Sequence, residues 1–206
     1  LGFYDLHFEE HPYRALEIRH TSRKLTFTRL KCHHNPRNYP PHGTDHVVLD
    51  AQNAPAGAGY GITFQGCHLA VCSGSAYVLD NTGGAGEDGF TGVSINGGSV
   101  QGPAEYGIKA IKTAGLVISD TWFRGAGKAG IYVHSDCRDV CPVLTTIQCD
   151  DSSLIHYGAA NAWTPASNAA RIEDGAVSAI GEAMVIDVPD GAASGVLTLI
   201  RGGKFG

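Results

Sequence analysis

The chain has 206 residues, 43% of them apolar and only 17% charged, with 28 glycines and a formal net charge of -5. That length supports one domain with a sizeable core, and glycine runs at about twice its ordinary usage of ~7%. The low charge content disfavours a helical protein with Lys- and Glu-rich faces. The negative balance argues against nucleic acid, whose phosphates need a basic surface, and no apolar run reaches the ~20 residues of a membrane helix.

From the start, "LGFYDLHF" reads as strand, so the chain is expected to be a mature product or a segment of something longer. Next come "LEIRH" at 16, "VVLDA" at 47, "YVLDN" at 77, "GIKAI" at 107, "GIYVH" at 130, "ARIED" at 170 and "GVLTL" at 195. Their central apolar residues are Ile18, Val48, Val78, Ile108, Ile131, Ile172 and Val196, at intervals of 30, 30, 30, 23, 41 and 24. A second set of markers falls on Phe27, Phe64, Ile95, Ile118, Ile147 and Ile186, and a third on Leu30, Leu69, Val100 and Phe123. Apolar residues alternate over three to five positions around each marker, and Gly, Asn, Asp and Ser separate them, which is strand-and-turn grammar. In "GITFQGCHLAV", residues 61–71, Ile62 and Phe64 are expected inward, Gly66 at a bend and Leu69 on the next side. The nearest approach to a helix, "GAANAWTPASNAARI", is interrupted by Pro165.

Fixed-period self-similarity implies stacked repeats. One short strand cannot bury its apolar face alone. Strands stacked ~4.8 Å apart can, and insertions then leave from the corners. The reading is an all-β, right-handed single-stranded parallel β-helix (solenoid) of about seven coils, one domain over residues 1–206; the rival is an antiparallel β-sandwich. These repeats resemble the pectin-lyase-like superfamily of pectate lyases, polygalacturonases, chondroitinase-like lyases and phage tailspikes. The resemblance rests on repeat grammar rather than on a catalytic signature.

Column alignment supplies the candidate site. Two residues after the first marker stand His20, Asp50, Asp80, Ala110, Val133 and Asp174. Asp50 and Asp80 on adjacent rungs would approach the ~5 Å separation of a retaining glycosidase pair, or hold Ca²⁺ through oxygen ligands. The other reading makes them turn residues that bond their own backbone. The neighbouring column is Arg19, Leu49, Leu79, Lys109, Tyr132 and Glu173. Lys109, Lys112, Tyr132 and His134 supply the cation and base that a uronic-acid lyase needs. Asp150 and Asp151, with "HYG" at 156 and "RIE" at 171, resemble the polygalacturonase order, but Glu173 stands where that family has Lys. Trp122 and Trp163 are candidate sugar-stacking surfaces, with one of Trp122 and Phe123 expected to face outward.

Seven of the ten histidines precede residue 50. The segment "CHHNPRNYPPHGTDH" matches no zinc spacing, and reads as an exposed corner loop that contacts a ligand or a subunit. The six cysteines form no CxxC pair; Cys67–Cys72 and Cys137–Cys141 are spaced for small disulfides, but mostly free thiols are expected. No metal or other cofactor is expected to be required, with Ca²⁺ an option.

The functional expectation is a carbohydrate-active β-helix, like a tailspike or depolymerase, that binds a polysaccharide, with its degradation an open option. It would be a homotrimer or part of a larger chain, extracellular or on a virion surface, with neither nucleic acid nor membrane as partner. The alternatives are a stand-alone secreted lyase or glycoside hydrolase, and a non-catalytic spike or adhesin segment.

Overall fold

The computed structural model describes residues 1–11, 13–19, 22–34, 45–51, 59–80, 90–126, 129–134 and 137, and the backbone of short strands between 141 and 205. The elements among the described residues are all strands, and their pairings are parallel. This rules out the antiparallel sandwich.

Apart from Phe90–Thr91, which pairs with Gly59 and Tyr60, the strands fall into three series. The first is a 7-stranded sheet: Leu16–Arg19, Val47–Asp50, Tyr77–Asp80, Tyr106–Ile111, Ala129–His134, Ser153–Gly158 and Val185–Ile186. The second holds Gly2–Tyr4, Arg23–Thr28, the first half of Gly59–Cys72, the start of Ser94–Pro103, Val117–Ser119, Cys141–Val143, Ala170–Glu173 and Leu197–Ile200. The third holds His7–Glu9, Lys31–His33, the second halves of the two long strands, Trp122–Arg124, Thr146–Cys149, Ala176–Ala179 and Lys204–Phe205. Gly59–Cys72 and Ser94–Pro103 each run through both, joining the second and third series into one sheet. The chain visits the series in constant rotation.

One apolar core draws on all three. Leu49, Tyr77 and Leu79 come from the first series, Phe27, Phe64 and Ile95 from the second, and Leu69, Val100 and Phe123 from the third. Successive side chains in a strand point to opposite faces, so every second residue enters the core. Phe3, Phe27 and Phe64 are in register on successive strands and their rings stack, at 4.9 and 5.2 Å between centroids. Tyr77 meets Phe64 edge-on at 5.3 Å, tying the first series to the second.

The corner between the second and third series turns on a left-handed residue: Asp5, Arg29, Gly66, Gly97 and Asp120, with φ of 54°, 57°, 60°, 66° and 49°, and after Gly97 the next residue, Gly98, is left-handed too, at 91°. Glycine adopts this conformation freely, whereas other residues are strained by roughly 1 kcal/mol or more. At Arg29 the side chain makes two hydrogen bonds to Asp5, one position along the same corner, at 2.6 and 2.7 Å.

The structure bears out the expected geometry of residues 61–71: Ile62, Phe64 and Leu69 are buried, and Gly66 is the bend. Trp122 is half-exposed while Phe123 is buried, which settles which of the two faces outward. Several marker assignments need correction. Ile18 pairs with Leu49 rather than Val48, and Ile108 pairs with Tyr77 rather than Val78. Ile172 belongs to the second series; the true partner of Ile131 is Ile155. Ile147 lies in the third series and Ile186 in the first. The helix-like segment around Pro165 is outside the described residues.

Cys32, Cys67, Cys72 and Cys137 are buried free thiols, so Cys67 and Cys72 form no disulfide. Burial pushes the Cys32 and Cys72 thiols up to about 12, which keeps them protonated and unreactive.

Candidate functional site: an acidic cleft with two cations

The outward face of the first series carries the most chemistry among the described residues. Leu49 and Leu79 point into the core, so Val48, Asp50, Val78 and Asp80 point out. Asp50 pairs with Asp80 in register, as the column reading expected. The slip at the next strand places Ile111, not Ala110, beside Asp80. It also changes the neighbouring column. Lys109 continues the row of Glu17, Val48 and Val78, and Tyr132 follows it. Leu49, Leu79 and Glu173 are not in that row: the two leucines are core, and Glu173 belongs to the second series.

These residues line a cleft of ≈ 140 Å³ formed by Arg14, Asp45, Val48, Asp50, Ser75, Val78, Asp80, Glu105 and Lys109. Val48 and Val78 make an apolar floor. Four carboxylates and two cations surround it. Arg14 Nη1 lies 3.0 Å from Oε1 of Glu17, three residues on and within Leu16–Arg19.

Asp45 is held by the segment that precedes Tyr77–Asp80. It accepts a hydrogen bond from the Ser75 backbone N–H at 2.7 Å. Gly74 provides its seat: a Cβ there would lie 2.4 Å from Asp45 Oδ1. Burial raises its pKa above the usual carboxylate value; the Ser75 N–H, Arg14 and Lys109 oppose the rise, and Glu105 reinforces it. Desolvation outweighs the nearby cations here.

The other candidates spread out. Tyr132 stands next to Lys109, its ring 5.0 Å from that of Tyr106. His134 ends the same strand, and Lys112 occupies a left-handed bend (φ 53°) just past Ile111. Neither lines the cleft. Trp122 lies in the third series, with the Arg124 guanidinium 5.9 Å from its ring centre, so it belongs to a different face. His156 and Arg171 lie on strands of different sheets. Asp150, Asp151 and Trp163 lie outside the described residues.

Column reading missed Arg14, Asp45, Ser75 and Glu105. All four sit between strands, where no period reaches. The available signal was local: Asp45 precedes "HVVLD" by one residue and Ser75 precedes "AYVLD" by one, so their offsets match. The "CHHN" segment is also corrected. Lys31–His33 is a strand, and His34 and His46 are buried rather than exposed. Among the described residues, no group of three or more His, Cys, Asp or Glu side chains is arranged to hold a metal ion, and no helix is long and apolar enough to cross a membrane.

Comparison with protein-family models, with curated proteins and with solved structures returned no match.

Proposed function

We propose that the chain is a right-handed parallel β-solenoid of the pectin-lyase-like kind, and that it binds and cleaves a polysaccharide on the outer face of its first strand series. The single observation that carries this reading is Asp50 in register with Asp80 beside Lys109, in one cleft over an apolar floor. Stacked strands offer a linear polymer a repeating surface, about 4.8 Å per strand. The carboxylates accept from the sugar's hydroxyls, with Val48 and Val78 buried beneath them as the base of the cleft. Lys109 and Arg14 suit an anionic group on the polymer. Asp45, whose burial favours the protonated form, is suited to give a proton to a leaving oxygen, while Asp50 or Asp80 takes one from water.

A specific observation keeps a second reading, a non-catalytic spike or adhesin segment. The cleft measures ≈ 140 Å³, below the roughly 300 Å³ at which small-molecule sites begin. On either reading the protein acts extracellularly or on a virion surface, as a homotrimer or within a longer chain.

The test is a panel of pectate, alginate, glycosaminoglycans and capsular polysaccharides, with and without Ca²⁺. Reducing ends and ultraviolet-absorbing unsaturated ends are followed together with binding. Reducing ends without unsaturation, lost in Asp50→Asn and Asp80→Asn, are expected. Binding without product supports the adhesin reading. Neither binding nor product, from folded protein, overturns both.

A further inference from the structure

Behind the cleft, three histidines gather where the segment after His7–Glu9 meets the start of Val47–Asp50. His46 is fully buried and His34 nearly so. The His11 ring centre lies 5.0 Å from that of His46 and 5.7 Å from that of His34. Three contacts run in a line. His11 Nδ1 lies 2.5 Å from the Tyr13 carbonyl oxygen. His11 Nε2 lies 2.9 Å from His46 Nδ1. His46 Nε2 lies 3.1 Å from the Ala70 carbonyl oxygen.

A carbonyl only accepts, so His11 Nδ1 and His46 Nε2 must each carry a hydrogen. The central nitrogen–nitrogen contact needs a third. Two neutral imidazoles bring only two between them. The full line therefore exists only when the pair holds one extra proton. When the pair is neutral, one of the three contacts sets two lone pairs face to face.

We propose that His11 and His46 form a single-proton latch. With the shared proton, the latch ties the Tyr13 segment to Ala70 through His46; without it, one contact opens. The Tyr13 end of the latch and the segment that carries His46 adjoin the cleft. Arg14 follows Tyr13, and Asp45 precedes His46. The His46 carbonyl accepts from the Ala15 and Leu16 N–H groups, and the His46 N–H donates to the Ser75 carbonyl. Arg14, Asp45 and Ser75 are thus each held by the residues that the latch fixes.

The charges around the pair set where it operates. Burial pulls His11 below the ordinary histidine value and His46 down to about 4. His34 opposes the charged form of both, and Glu10 favours it at His11. The cleft charges nearest in sequence are Arg14, after Tyr13, and Asp45, before His46, and the protonated Cys72 thiol contributes no charge. The latch therefore closes in acid, below the ordinary histidine midpoint of ~6.5. Because one proton is shared, the two rings titrate as a unit. This inference does not rest on the proposed polysaccharide activity.

The test is an NMR titration of the imidazole nitrogens of the whole chain from neutral to acid, in the wild type and in His11→Gln and His46→Gln. Expected is one common step for both rings, with a midpoint below that of a free imidazole, and slower amide exchange at Ala15 and Leu16 across the same step. Either substitution should shift the remaining ring to a different midpoint. Two independent steps, or a His46 step unchanged in His11→Gln, would overturn the proposal. Should buried His46 not tolerate replacement, half-buried His11 gives the same test from its own side.

Discussion

Phe64→Ala is the most demanding perturbation of the stacked core. Phe64 is 1% exposed. Its ring packs on Phe27 at 5.2 Å and against Tyr77 at 5.3 Å, so it links two strand series. A buried phenylalanine removes on the order of 150 Å² from water, and at about 25 cal/mol per Å² this gives roughly 4 kcal/mol. That falls within the ~3–5 kcal/mol measured for such truncations, where the cavity term is included. Backbone pairing on both sides, to Phe27 and to Ile95, limits collapse into the void. With a urea dependence of about 2 kcal/mol per molar, the unfolding midpoint should fall by about 2 M. Tyr4→Ala is the control, since Tyr4 is 65% exposed on the edge strand and should change stability by no more than about 0.5 kcal/mol. Urea unfolding followed by far-ultraviolet circular dichroism measures both. A midpoint for Phe64→Ala within about 0.5 M of that for Tyr4→Ala would refute the idea that the aromatic column is core.

Three further outcomes follow from the same geometry. In Gly98→Ala the new Cβ would stand 2.0 Å from the Cys67 carbonyl oxygen at φ +91°, whereas at Gly66 it would meet nothing closer than 3.9 Å. Thermal melting should therefore show a loss of about 2–4 kcal/mol for Gly98→Ala against about 1 kcal/mol for Gly66→Ala. Asp45→Asn keeps an oxygen for the Ser75 N–H but removes a carboxylate whose pKa burial has raised. The folded state then binds more protons than the unfolded state between the unfolded and the raised folded value, so wild-type stability falls as pH rises through that window. Denaturation across pH should find Asp45→Asn more stable than wild type at neutral pH, with the difference vanishing below the unfolded carboxylate value near pH ~4. Thiol labelling with peptide mapping at mildly alkaline pH should leave Cys32, Cys67 and Cys72 unmodified in the native protein and label all three in urea.

The second series was the most legible part of the sequence. Phe27, Phe64, Ile95 and Ile118 are in register as their spacing implied; the first three each stand alone between two polar residues, and at Ile118 the apolar neighbour Val117 is exposed. The first series was less legible, since "VVL" and "YVL" place apolar residues on both faces and period alone cannot choose the parity. That ambiguity produced the one-residue slips at Ile18 and Ile108. The apolar pair Val48 and Val78 faces outward because it floors the cleft, so the position that misled the reading belongs to the candidate site. Beyond Ile131, the strand "SLIHYG" lacks the Gly–Ile opening of "GIKAI" and "GIYVH", and the 41-residue interval passed over it. Asp45 escaped notice because its environment arises from Gly74 and Ser75, residues 29 and 30 positions later, and not from its neighbours in sequence.

The central claim is that Asp50 and Asp80 occupy the same outward position on neighbouring parallel strands. Directly paired residues in such a sheet lie about 4.8 Å apart, within the ~4.4–6.8 Å that a disulfide spans. Oxidation of an Asp50→Cys/Asp80→Cys double variant, followed by mass spectrometry of its peptides, measures this directly. The account predicts a disulfide between positions 50 and 80 in high yield, and none in Asp50→Cys/Leu79→Cys, where the second thiol points into the core. Equal bridging in the two variants, or none in the first, would contradict it.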